Sequence, residues 1–256
     1  MVNFIDTHCN LNDEAYIDDF DQLLSRMKDA GICACIVPGV EKASYESLID
    51  VTDRLPDYAY PCIGLHPTCL EDWESELVFL KKHLSDRKFY AIGETGMDEY
   101  WSKDNIPVQK RVFAEQIELS LNNNLPLIIH CRDAMEDTLS VLNDFRNSNV
   151  RGVFHAYSGS YESYREIHRY GDFKFGIGGV ITYKNAGIAG IIHKFSMDDI
   201  ILETDCPWLT PIPFRGKRNE SSYIPYIAEK ISVLTGLSIE QISEITTSNT
   251  KKLFGI

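Results

Sequence analysis

Five side chains able to bind a metal ion each close a short apolar run. They are His8 in FIDTHCN, Glu94 in YAIGETG, His130 in PLIIHC, His155 in GVFHAYS and Asp205 in IILETDCP. Three imidazoles and two carboxylates, if brought together, form a donor set for divalent cations. The chemistry such a set supports is metal-assisted hydrolysis.

These residues lie far apart in the chain, so the elements carrying them must do the gathering. The apolar runs read as strands, and segments of helical period separate them. Phe20, Leu23, Leu24 and Met27 fall at i, i+3, i+4 and i+7 before Gly31. Phe113, Ile117 and Leu121 recur at spacing four, with Pro107 near the start of that helix, where proline is tolerated. Further helices are expected over 42–55, 70–84, 134–145, 161–170, 186–195, 222–234 and 239–254. The pattern counts eight strand–helix units and a final extra helix.

The fold class is therefore α/β, a (β/α)8 TIM barrel, which collects its strand ends on one face, where its active sites lie. An open doubly wound sheet would not gather the ends of the first, fourth, fifth, sixth and eighth strands. A length of 256 residues suits one barrel of roughly 250 residues, so a single domain spanning 1–256 is expected.

Side chains alternate along a strand. Asp6, His8 and Asn10 should share one face, as should Ile92 with Glu94 and Glu203 with Asp205. Asp6 and Glu203 then sit one layer below the mouth. They either support the ligating histidines or are core acids paired with a basic or hydroxyl group. Cys9, Cys131 and Cys206 each follow a candidate ligand and should point toward the helices.

Composition bounds the function. A net charge of −13 argues against a broad basic surface for polyanions, so metal ions and a few basic side chains must draw in any phosphate. The seven cysteines include no CxxC pair, which points to neither a disulfide framework nor a zinc ribbon. No run approaches the roughly 20 apolar residues of a membrane span. Asp6 and His8 interrupt the opening where a signal peptide needs an apolar core. The expectation is a cytoplasmic protein, off the membrane, with no obligate protein partner evident.

The strings IDTHCN, GLHP, IGETGMD, IIHCRDA, FHAYSG, ETDCPWLTP and RGKRNE occur in order between residues 4 and 220, and TTSNTKKLF closes the chain. This series resembles the motifs of TatD-like metal-dependent hydrolases. The resemblance implies an amidohydrolase-like barrel that cleaves phosphodiesters with metal-activated water, usually as a deoxyribonuclease. It also implies up to two divalent cations per subunit, Mg, Mn or Zn. His8, Glu94 and Asp205 would hold one ion and Glu94, His130 and His155 the other, with Glu94 bridging. Asp205 and Glu94 are the expected catalytic residues, Asp205 accepting or orienting the attacking water's proton.

Asn10 departs from the family pattern, whose first strand ends in His-x-His. Its carboxamide oxygen suits Mg or Mn better than zinc, so it enters the ligand set as a weaker donor. In the resembled family the GLHP histidine, His66 here, contacts substrate phosphate; the alternative is a loop cap before Pro67. Arg132, Arg215 and Lys217 are local cations suited to phosphate, or else surface ion-pair residues. Tyr100, Trp101 and Trp208 either stack bases or pack their loops. His83, His168 and His193 fall in helical segments and read as solvated or capping groups.

The expected substrate is a DNA end or a small phosphodiester. Two alternatives stand beside it. A small-molecule amidohydrolase or lactonase would use the same cage and would suit the acidic charge. A catalytically decayed barrel, marked by Asn10, would bind a partner instead. Glu94, standing where lysine-bridged relatives carry lysine, favours the TatD-like branch.

Overall fold

A computed structural model of the chain describes residues 2–101 and 103–256. Its strands are β1 (Phe4–Asp6), β2 (Ile32–Val37), β3 (Ala59–Pro61), β4 (Ile92–Asp98), β5 (Leu127–Arg132), β6 (Arg151–Phe154), β7 (Asp172–Ile177) and β8 (Ile200–Leu202). Every neighbouring pair is parallel, in one run from β1 to β3 and another from β4 to β8. Parallel bridges at Ile63–Ile92 and Cys9–Cys206 join the two runs at both ends and close the ring. The result is the expected eight-stranded barrel.

The helices are α1 (Phe20–Asp29), α2 (Tyr45–Asp53), α3 (Trp73–His83), α4 (Ile106–Asn123), α5 (Met135–Asp144), α6 (Tyr161–Ile167), α7 (Ile224–Thr235) and α8 (Ile239–Phe254). α8 starts on a reciprocal cap between Ser238 and Gln241 and ends at Gly255, whose φ of +70° permits a left-handed stop. One expected helix is absent. Over 186–195 the chain makes two short 3-10 turns, Gly187–Gly190 and Ile192–Lys194. Ile188 and Ile192 are buried at helical spacing, yet two glycines in one turn weaken a helix too much. Among the described residues no helix is long and apolar enough to cross a membrane.

Two apolar layers hold the barrel. Inside it, Ile36, Cys62, Ala91, Ile128, Val153 and Ile201 pack on one another, and Leu253 and Phe254 of α8 pack against them. A larger layer lies between strands and helices and includes Phe4, Cys9, Ile92, Leu127, Ile129 and Phe154. Two positions along from Ile128, Val153 and Ile201, the inward face reaches His130, His155 and Glu203. There, simple alternation holds.

It fails in β4 and β1. Ile92 belongs to the outer layer and Ala91 to the inner one, so Ile92 and Glu94 do not share a face as expected. The register of β4 slips between Ile92 and Thr95, and that slip turns Glu94 inward. In β1 the regular strand stops at Asp6. The Asp6 carboxylate accepts from the backbone N–H of His8 and from Thr204 and Ser221, on the side of Cys9 and Cys206. Asp6 is thus a hydroxyl-paired acid that pins the β8–β1 seam. Burial raises its carboxyl to about 6, partly offset by those hydrogen bonds.

Candidate metal centre

Glu94 is the hub of the mouth. Its Oε1 lies 2.9 Å from His130 Nδ1, 3.4 Å from His66 Nε2 and 3.5 Å from His155 Nε2, and its Oε2 lies 3.2 Å from His8 Nε2. Asp205 Oδ1 sits 3.6 Å from His8 Nε2 and 4.0 Å from His155 Nε2. Six side chains from the ends of six strands therefore meet, including all five that close the apolar runs. The His8 and His155 rings stack with centroids 3.7 Å apart.

Several features hold the groups in place. Asp205 has a φ of +55°, a left-handed conformation that aspartate tolerates better than most residues. Its N–H donates to the His8 carbonyl at 3.0 Å. Asp98 Oδ2 lies 2.8 Å from His130 Nε2, leaving Nδ1 toward Glu94. Glu203 Oε1 accepts from the N–H of Ala156 at 2.6 Å and lies 3.1 Å from His155 Nδ1, leaving Nε2 toward the hub. Each carboxylate thus takes one face of an imidazole and presents the other. Glu203 therefore supports a histidine, where Asp6 does not.

Helix α4 aligns the strand ends from behind. Gln116 makes paired hydrogen bonds of 2.8 and 3.0 Å to Leu65, the neighbour of His66. Gln109, seven residues earlier and on the same helical face, makes paired bonds of 2.7 and 2.8 Å to Asp98. Neither glutamine nor Asp98 stood out in sequence. Asp98 follows Glu94 at period two within IGETGMD, and that spacing was the available signal.

Electrostatics bind the cluster together. Burial opposes ionisation of Glu94, yet the surrounding histidines outweigh it and hold the carboxyl well below its usual range. Burial also opposes a charged His8, but Glu94, Asp205 and Glu203 lift its imidazole to about 9. Asp205 is pushed upward by burial first, with Glu94 and Glu203 adding to the push and the histidines opposing it. Among the described residues, neither ring nitrogen of His8 has an aligned hydrogen-bond partner, while His155 Nδ1 meets Glu203 as a close contact only. Buried polar atoms without partners are rare. Unpaired, buried imidazole nitrogens beside carboxylates fit a divalent cation.

The other expected site residues divide by position. Asn10 Nδ2 donates to the Cys206 carbonyl at 3.0 Å, across the β8–β1 seam. His66 Nδ1 lies 2.6 Å from Thr68 Oγ1 and 3.2 Å from the Thr68 N–H, which turns its Nε2 toward Glu94. Arg132 is exposed on the rim, its guanidinium 3.7 Å from the Tyr100 ring centre and 5.6 Å from that of Trp101. Arg215 lies over Tyr183 and Lys217 over Phe214, in the loop after β8. Away from the mouth, His83 pairs with Asp86 and His168 with Asp199. Cys9 and Cys206 are buried with their sulfurs 3.3 Å apart, turned from the cluster as alternation required.

The TatD related DNase family model matches residues 5–255. The chain belongs to that family. It is 39% identical over 253 residues to a metal-dependent hydrolase of Bacillus subtilis, YabD, with 98% of each chain covered. It is 26% identical to the 3'-5' ssDNA/RNA exonuclease TatD of Erwinia tasmaniensis, covering 98% of this chain and 99% of that one. Among solved structures, the TatD homologue YJJV of Escherichia coli K12 superposes with a TM-score of 0.90 at 28% identity. That superposition covers 99% of this chain and 98% of the other.

Proposed function

We propose that this chain is a metal-dependent phosphodiesterase acting on nucleic acid, with the hub around Glu94 as its active site. The observation that carries the reading is one carboxylate within 3.5 Å of four histidines, with a second carboxylate, Asp205, beside two of them. His8, Glu94 and Asp205 would hold one ion, with Asn10 at its edge, and Glu94, His130 and His155 the other. His66 Nε2 also lies close enough to share an ion with Glu94 and His130, and the family reading keeps it for the substrate.

Divalent ions held there supply positive charge against the phosphoryl oxygens and acidify a water. The protein's own groups do the rest. Asp98 and Glu203 fix which nitrogen of His130 and His155 faces the centre. Asp205, raised by burial, is suited to accept the attacking water's proton. His66 donates from Nε2 to a phosphoryl oxygen, and Arg132, Arg215 and Lys217 provide cations along the rim. The family and the exonuclease relative support nucleic acid as the substrate class. A cytosolic location belongs to the same proposal, since all seven cysteines are free.

The test is hydrolysis of single-stranded DNA and a generic phosphodiester across Mg²⁺, Mn²⁺ and Zn²⁺, with chelated protein as control. Glu94→Gln should lose at least roughly a hundredfold in rate, equivalent to ~2.7 kcal/mol of barrier, while its circular dichroism stays unchanged. Chelator-insensitive hydrolysis, or near-normal rates in that variant, would place the chemistry elsewhere. The net charge of −13 favours one second reading, a small-molecule amidohydrolase or lactonase. A lactone panel run alongside decides between them.

A further inference from the structure

Three of the exposed large aromatic side chains stand on the loops that follow β4 and β8. Tyr100 is 54% exposed and Trp101 70%, both just after β4, and Trp208 is 55% exposed just after β8. In a closed ring of eight strands, β4 and β8 are four strands apart in either direction. The loops that carry the two aromatic groups therefore rise from opposite sides of the ring.

Each group is fastened to a carboxylate residue of the site. Asp98 Oδ1 accepts from the backbone N–H of both Tyr100 and Trp101 at 3.0 Å, while Oδ2 meets His130. The Trp208 N–H donates to the Asp205 carbonyl at 2.9 Å. The backbones thus anchor both groups to residues of the site, and Trp101 and Trp208 keep most of their ring surface exposed. Arg132, over Tyr100 and near Trp101, adds a cation beside one group. A flat apolar face next to a guanidinium matches a nucleobase joined to a phosphate. Strong net negative charge argues against a long basic groove, and stacking would then supply much of the grip.

We propose that Trp101, with Tyr100, and Trp208 form two base-stacking subsites, one on each side of the scissile phosphodiester. Bases within a duplex have their faces covered by neighbouring pairs, so the subsites select unpaired nucleic acid. They also require a base on both sides of the bond that is cut. This inference rests on the phosphodiesterase reading and adds the substrate's shape to it.

Thymidine dinucleotides test it, because each holds a single phosphodiester. One carries both bases, one lacks the 5' base and one lacks the 3' base. In wild-type protein each abasic version should lose roughly 5- to 150-fold in kcat/KM, the range that base–aromatic stacking spans. Trp101→Ala should erase the penalty on one side and Trp208→Ala the penalty on the other, with Trp→Phe at each position retaining most of it. Equal rates on all three dinucleotides, or penalties that survive both alanine substitutions, overturn the subsites and leave the hydrolase standing. If no dinucleotide is cleaved, the phosphodiesterase reading is decided by hydrolysis of single-stranded DNA. The subsites are then judged by fluorescence anisotropy of a labelled oligothymidylate on Glu94→Gln protein. Weaker binding in both alanine variants supports them, and unchanged binding in either overturns them.

Discussion

At the scale of the residue, Asn10 and His8 have the sharpest consequences. Asn10 spends its amide N–H on the β8–β1 seam, so only its carbonyl oxygen remains for an ion. Asn10→His would replace that oxygen with a nitrogen donor while His8, Glu94 and Asp205 stay in place. Calorimetric titration of metal-free protein should show zinc affinity at the His8 site rising roughly tenfold or more, ~1.4 kcal/mol. Two equally tight zinc ions in the unsubstituted protein, unchanged by the substitution, would contradict it. His8 adds a pH dependence. Its imidazole is lifted to about 9 by neighbouring carboxylates against the opposing effect of burial. The stabilisation that this proton gives the metal-free fold is complete below the ordinary value near 6.5 and is lost as pH rises through about 9. An ion must displace that proton, so metal affinity should climb from about pH 7 to about pH 9 with proton release. Calorimetry in buffers of different ionisation enthalpy counts the protons. A count of zero at the lower pH would exclude His8 as a protonated ligand.

At the scale of the element, the barrel and the convergence of five strand-end side chains were legible because each of those five strands is a short apolar run ending in a polar donor. What escaped was local irregularity. A one-residue slip turns Glu94 inward although Ile92 faces out, and periodicity alone cannot report a slip. Asp98, Gln109 and Gln116 escaped because their roles are hydrogen bonds to groups far away in sequence. Glycines in the strands carry similar hidden requirements. At Gly96, φ is +134° and a Cβ would lie 2.1 Å from the His130 carbonyl, so β4 and β5 approach as only glycine allows. At Gly176 in β7, a Cβ would lie 1.9 Å from Glu203 Oε2. Gly176→Ala should push Glu203 off the Ala156 N–H and free the His155 ring. The expected loss is roughly 10- to 100-fold in metal affinity or activity, read by calorimetry and initial rates. Unchanged values would show that His155 keeps its orientation without Glu203.

At the scale of the whole molecule, 38 acidic and 25 basic side chains have to be reconciled with the polyanionic substrate proposed. An overall field of this sign slows the approach of nucleic acid and provides no broad surface to release counterions. The barrel resolves the conflict by concentration. Its closed ring delivers five imidazole and carboxylate donors and His66 to one mouth, and ions held there as proposed would reverse the local charge. Three further cations, Arg132 at the end of β5 and Arg215 and Lys217 in the loop after β8, each lie beside an aromatic ring. Few phosphates can then be touched at once. Binding of single-stranded DNA to Glu94→Gln protein should have a salt slope matching about 2–4 phosphates, at roughly 0.7 per phosphate. A fourfold rise in monovalent salt would weaken binding by roughly 7- to 50-fold. Titration of a labelled oligonucleotide at several salt concentrations measures the slope. A slope matching eight or more contacts would mean that an extended basic track exists despite the composition, and local capture at the mouth would be wrong.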